Sequence, residues 1–141
     1  MPHFAVSFFQ RRYWLLGCIV AVASHSAAQA PQVLTALQSL QSGLWEFRSK
    51  EDPSANRSLC LSDPKVILQL RHFGQNCSRF VIKNDPRLTV VHYTCALAGQ
   101  GQTSVRVETP RLVQLESQGV AGHSPFSFTA EGRRVGECQA R

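Results

Sequence analysis

Cys77-Ser-Arg-Phe-Val-Ile-Lys-Asn84-Asp85-Pro86-Arg87-Leu88-Thr-Val-Val-His-Tyr-Thr-Cys95 is the stretch that decides the fold. Residues 77–83 and 88–97 read as strands, and Asn84-Asp85-Pro86-Arg87 between them is a strong turn signal. Folding the hairpin about that turn sets Cys77 opposite Cys95. Cross-strand neighbours lie ~5 Å apart, within reach of a disulfide. Both faces of 88–97 carry apolar residues, Leu88 and Val90 on one and Val91, Tyr93, Cys95 and Leu97 on the other. That pattern marks a central strand, or one whose regularity is broken by a bulge.

Downstream, residues 102–108 alternate, with Val105 and Val107 inward and Ser104, Arg106 and Glu108 outward. Thr109-Pro110 makes a tight turn, 111–118 continue with Val113 and Leu115 inward, and 118–125 read as a loop. Phe126, Phe128 and Ala130 line one face of the last strand. Upstream, Gly43 to Arg48 opens the first strand, with Trp45 and Phe47 on one face and Glu46 and Arg48 on the other. Two short helices are expected. One covers 32–42, where Val33, Leu37, Leu40 and Leu44 recur at helical spacing around a stop at Gly43. The other starts at Ser62-Asp63-Pro64, with Ser62 as N-cap, and runs to about Arg71. Strands at ~8–12 residue spacing predict a mainly β (α+β) fold: a small antiparallel meander, a sandwich or a partly closed barrel.

The 141 residues accommodate one domain, and the apolar share of 43% argues against a disordered chain. Residues 1–30 have the three-part layout of a secretory signal: Arg11 and Arg12 without an acid, an apolar run from Tyr13 to Ala23, and small residues Ser24 to Ala30. The run is too short to span a bilayer of ~30 Å as a helix. The cut falls after Ala28 or after Ala30; the former keeps Pro31 away from the scissile bond. Leu15-Leu16-Gly17-Cys18 resembles a lipoprotein box but sits inside the apolar run, and Arg11-Arg12 matches a twin-arginine signal weakly, so ordinary export leads. Residues 31–42 are then an N-terminal helical lead-in and 43–141 a single β-rich domain. No membrane span is expected after processing.

Loss of Arg11 and Arg12 lowers the formal net charge from +6 to +4. The remaining charges are scattered, whereas nucleic-acid binders cluster basic residues on one face; no nucleic-acid partner is expected. Of five cysteines, Cys18 leaves with the signal, and Cys60, Cys77, Cys95 and Cys138 remain. An even number in an exported chain reads as two disulfides. The gaps of 17, 18 and 43 residues lack the close pairing of a zinc site, and His72, His92 and His123 add no ligand pair. With Cys77–Cys95 set by the hairpin, Cys60–Cys138 ties the middle of the chain to its end.

Gly43-Leu44-Trp45-Glu46, Cys60-Leu61-Ser62 and Gly132-Arg133-Arg134-Val135-Gly136-Glu137-Cys138, with Cys77 and Cys95 between, form a pattern. Together they resemble the exported bacterial domain-of-unknown-function family numbered three-six-one-seven, over about residues 42–138. The signature positions are Gly43, Trp45, Glu46, Cys60, Gly132, Arg133, Gly136 and Cys138. The resemblance implies an exported location, the cysteine framework and a mostly β domain, and it brings no catalytic residue. The sequence departs from the family in an unusually short polar segment between Cys95 and Cys138, which leaves the strand count open.

Reactive motifs are missing from the sequence. There is no G-x-S-x-G, and Gly122-His123-Ser124 reads as a turn. Gly99-Gln100-Gly101-Gln102 has no P-loop lysine and reads as a hairpin loop. Glu46, Glu108, Glu116 and Glu131 fall at polar-face strand positions, where solvated charge belongs. No catalytic residue, cofactor or metal is expected. The leading expectation is a periplasmic or secreted, non-enzymatic binding or accessory domain of the bacterial envelope. One variant has an apolar pocket for a lipid-like small molecule near Trp45, Tyr93, Phe126 and Phe128, although such aromatics are more often plain core. The alternative is an inhibitor or adaptor that binds an envelope protein through an edge strand or the 118–125 loop; a carboxylate-based hydrolase ranks last. Mass spectrometry of protein recovered from the periplasm is expected to give a chain starting at Gln29 or Pro31 and lighter by four hydrogens; a full-length reduced mass overturns the export assignment.

Overall fold

The computed structural model describes residues 32–139, so the signal segment and its cut site lie outside the described residues. Seven strands form: β1 Gly43–Arg48, β2 Arg57–Leu61, β3 Cys77–Asn84, β4 Leu88–Cys95, β5 Gly99–Thr109, β6 Leu112–Ala121 and β7 Ser124–Gly136. They make one open antiparallel sheet in the order β2-β1-β7-β6-β5-β4-β3. Of the three expected arrangements the meander is the one found: β3 to β7 follow one another by tight turns, and the β1–β2 hairpin adds onto β7. The sheet neither folds into a sandwich nor closes, and β2 and β3 are its edges.

Two stretches expected to be loops are strand. Residues 99–102 open β5, and 118–121 end β6, with only Gly122 and His123 left to turn the chain. Glycines at 101 and 119 signalled a loop, but here they answer a packing need. A carbon added at Gly101 would stand 2.6 Å from the Tyr93 hydroxyl, and one at Gly119 would stand 2.1 Å from the Gln100 carbonyl. Strand β4 is neither central nor bulged. It lies second from the edge, with Thr89, Val91, Tyr93 and Cys95 inward; the register shift is in β3, between Val81 and Lys83. Leu97 falls beyond the strand, exposed in the β4–β5 turn at φ 62°.

One face of the sheet carries the core. Trp45, Phe47, Val91, Val105, Val113 and Leu115 pack against Ile67, Leu68 and Leu70 of a 3₁₀ helix, Pro64–His72, which kinks at Gln69. Asp63, not Ser62, caps that helix: Pro64 is preset for the first helical position, and the Asp63 carboxylate accepts from the Lys65 amide at 2.9 Å. Helix α1 is a single turn, Thr35–Gln38, shorter than the expected 32–42. It buries Leu34, Ala36 and Leu37 and leaves Val33 exposed. Among the described residues no helix is long and apolar enough to cross a membrane.

Both expected disulfides are present. Cys77 and Cys95 are a register pair with Cα atoms 4.1 Å apart, and Cys60–Cys138 spans 5.5 Å. In the chain-entropy picture, separations of 18 and 78 residues are worth ~3 and ~4.5 kcal/mol. Where β1 meets β7, Phe47 lies opposite Gly132, and a carbon added at Gly132 would stand 2.4 Å from the ring. Gly132→Ala is therefore expected to destabilise the domain by about 1–3 kcal/mol through overpacking. Gly136→Ala, with nothing within 4 Å of the added carbon, serves as the near-neutral comparison in urea unfolding.

Candidate functional site

The two edges of the sheet differ. Strand β2 is five residues long, and Leu59 and Leu61 are buried. Strand β3 is eight residues long and mostly exposed. Alternation in β3 sends Val81 toward the core with its partner Val91, and sends Phe80 to the solvent face opposite His92. Phe80 is 70% exposed and Ile82, at the bulge, 51%. An edge strand offers unpaired backbone donors and acceptors, and two apolar side chains beside them make β3 a ready template for another extended chain.

Both ends of β3 are fixed. At its start, Cys77 is bonded to Cys95. At its end, the Asn84 side chain stands in for a strand neighbour: its oxygen accepts from the Thr35 amide and its nitrogen donates to the Val33 carbonyl, each at 2.8 Å. Arg79 donates to the Gln69 side chain at 2.5 Å, and Lys83 pairs with Asp85 at 3.0 Å. The exposed stretch between these ties is therefore held extended before any partner arrives.

The four aromatics expected near an apolar pocket fill the core instead. Trp45 and Tyr93 are fully buried, and Phe126 and Phe128 nearly so. Trp45 stacks on Phe47, with its indole N–H donating to the Gln41 carbonyl at 2.9 Å. Phe126 packs edge-on to His72. In the sequence His72 falls in no ligand pair; in the fold it is buried. Its Nε2 lies 3.0 Å from the Ala98 carbonyl and its Nδ1 3.0 Å from the Tyr93 hydroxyl. A carbonyl only accepts, so Nε2 carries the hydrogen and Tyr93 donates to Nδ1. Burial pushes the Tyr93 hydroxyl above its ordinary pKa, which keeps it a donor. With both ring nitrogens engaged, His72 pins the 3₁₀ helix to the β4–β5 turn rather than serving as a base.

The acidic residues weighed for hydrolysis are paired or free on the solvent face. Glu46 pairs with Arg48 at 2.7 Å, Glu131 with Arg133 at 2.5 Å and Glu108 with Arg87 at 3.5 Å. The Arg133 hydrogen bond, with help from Gln114, holds Glu131 below the ordinary carboxylate range. A general acid needs the opposite shift. Among the described residues no group of three or more His, Cys, Asp or Glu is placed to hold a metal ion.

The signature positions converge on one corner, where β2, β1 and β7 run side by side. Leu44 registers with both Cys60 and Gly136, and Glu46 with Arg133. Gly43 has φ 138°, and a carbon added there would strike the Gly136 carbonyl at 2.5 Å. Arg134 reaches back to the Ser42 carbonyl at 2.7 Å and pairs with Glu137. This corner clasps the N-terminal hairpin to the last strand. Comparison of the chain with protein-family models, with curated proteins and with solved structures finds no match. Tyr93→Phe is expected to lower stability by about 1–3 kcal/mol, because it leaves His72 Nδ1 buried without its donor. Urea unfolding checks this, and a loss below about 0.5 kcal/mol, typical of surface changes, overturns the His72–Tyr93 assignment.

Proposed function

We propose that this chain is a periplasmic, non-enzymatic binding domain of the bacterial envelope, of the three-six-one-seven type. In this reading it acts as an adaptor that accepts an extended segment of an envelope protein along β3. The observation that carries it is the exposure of Phe80 and Ile82 on an edge strand tied at both ends. In strand addition, main-chain hydrogen bonds supply affinity and alternate side chains supply specificity. A strand already held extended loses less conformational entropy when it binds. Two disulfides and the layout of residues 1–30 support the compartment. The lipid-pocket variant draws no support from aromatics packed this closely.

A photo-cross-linking residue at Ser78, on the exposed part of β3, is expected to capture an envelope polypeptide in the periplasm. The double variant Phe80→Lys/Ile82→Lys is expected to abolish capture with its thermal unfolding unchanged, since both side chains are exposed. Hydrogen exchange on the purified complex is expected to slow at β3 amides. Capture that survives the double variant, or protection appearing away from β3, overturns the reading.

A further inference from the structure

The solvent face of the sheet is not uniform. Over β1 and β7 it is a checkerboard of charge, with Glu46 opposite Arg133 and Arg48 opposite Glu131. Around residues 102–104 of β5, 116–118 of β6 and 127–129 of β7 charge gives way to amides and hydroxyls, while Arg106 and Glu108 keep charge at the far end of β5. Gln102, Ser104, Gln118, Ser127 and Thr129 surround a shallow depression of about 200 Å³, with Glu116 the charge among them. Both patches face the same water, so solvation alone gives no reason for the change in chemistry. Thr129 is engaged by Glu51, and Gln114, outside the depression, by Glu131. Gln102 and Gln118 have no such side-chain partner among the described residues.

The register orders these groups in rows across the strands. One row runs His92, Gln102, Gln118, Ser127 and the next Val90, Ser104, Glu116, Thr129. Neighbouring groups in a row are one strand spacing apart, ~4.8 Å. That is close to the length of one β-linked pyranose residue in an extended glycan, so a chain lying across the strands meets one side chain per sugar. Each glutamine amide offers two donors and an acceptor, the complement of a sugar's adjacent hydroxyls. Glu116 accepts further hydroxyl hydrogens and opposes an anionic polymer. An apolar ligand would strip water from these groups without replacing their hydrogen bonds.

We propose that this face binds a linear, neutral, β-linked polysaccharide chain, with Gln102 and Gln118 as the recognition residues. Gln102 and Gln118 lie two and three strands in from Phe80 along the same row, so their substitution leaves the β3 edge intact and tests this face separately from strand addition.

The test is titration of the oxidised domain with chitotetraose, followed by the side-chain amide signals of its glutamines. Millimolar or tighter binding is expected, with shifts centred on Gln102 and Gln118. The double variant Gln102→Ala/Gln118→Ala is expected to weaken binding about tenfold or more, equivalent to ~1.4 kcal/mol. Gln114→Ala is expected to leave binding unchanged, and both variants should keep the parent melting temperature, because all three side chains are exposed. Maltotetraose, whose α-linkages curl the chain, is expected to bind more weakly. No response to chitotetraose, equal response to maltotetraose, or binding indifferent to the double variant overturns the proposal.

Discussion

Phe47 lies across Gly132, in a space that any side chain at 132 would occupy. This contact seats β1 on β7, the one strand pairing among the described residues that joins distant parts of the chain. From β3 to β7 every pairing is a hairpin between sequence neighbours. The β1–β7 pairing bridges more than eighty residues and decides whether Trp45 and Phe47 are core or surface. Its supports cluster around it: the Cys60–Cys138 bond, Arg134 on the Ser42 carbonyl, and the Trp45 indole on Gln41. Closing so long a loop is entropically unfavourable before contacts compensate. The meander therefore has reason to form first, with the N-terminal hairpin docking onto its last strand.

The same arrangement separates what holds the protein together from what it presents. The core face gathers Trp45, Tyr93 and His72, and the helix that packs on it. Gly43, Gly132 and the Cys60–Cys138 bond belong to the clasp, where backbone approach and covalent closure set the residue types. What faces solvent is the other side of the sheet and the β3 edge. Those surfaces are built from ordinary residues: a phenylalanine, an isoleucine, a few glutamines and serines.

The hairpin from Cys77 to Cys95 was legible because its information is local: a turn sequence, alternation and two cysteines brought opposite each other. The inward sets Val105 and Val107, Val113 and Leu115, and Phe126, Phe128 and Ala130 were legible for the same reason. Gly101 and Gly119 misled because glycine marks two different things. It can break a strand, or it can make room for a neighbour, here the Tyr93 ring at Gly101 and the Gln100 carbonyl at Gly119. Ser62 lost the cap to Asp63 because the proline that follows fixes the frame of the helix. The site was least legible. Phe80 and Val81 are adjacent apolar residues, and which of them faces solvent depends on the β4 register. That β3 is an edge at all depends on the strand order, which no local pattern encodes.

The inequality of the two edges bears on stoichiometry. A sheet open equally at both sides can add chain after chain and run on as a fibre. Here the long edge lies at β3, and the opposite edge is only the five residues of β2. Two copies meeting β3 to β3 would present nothing outward but their short strands. Pairing of the long edge with itself thus closes at two copies, so an apolar edge can stay exposed without becoming a point of growth.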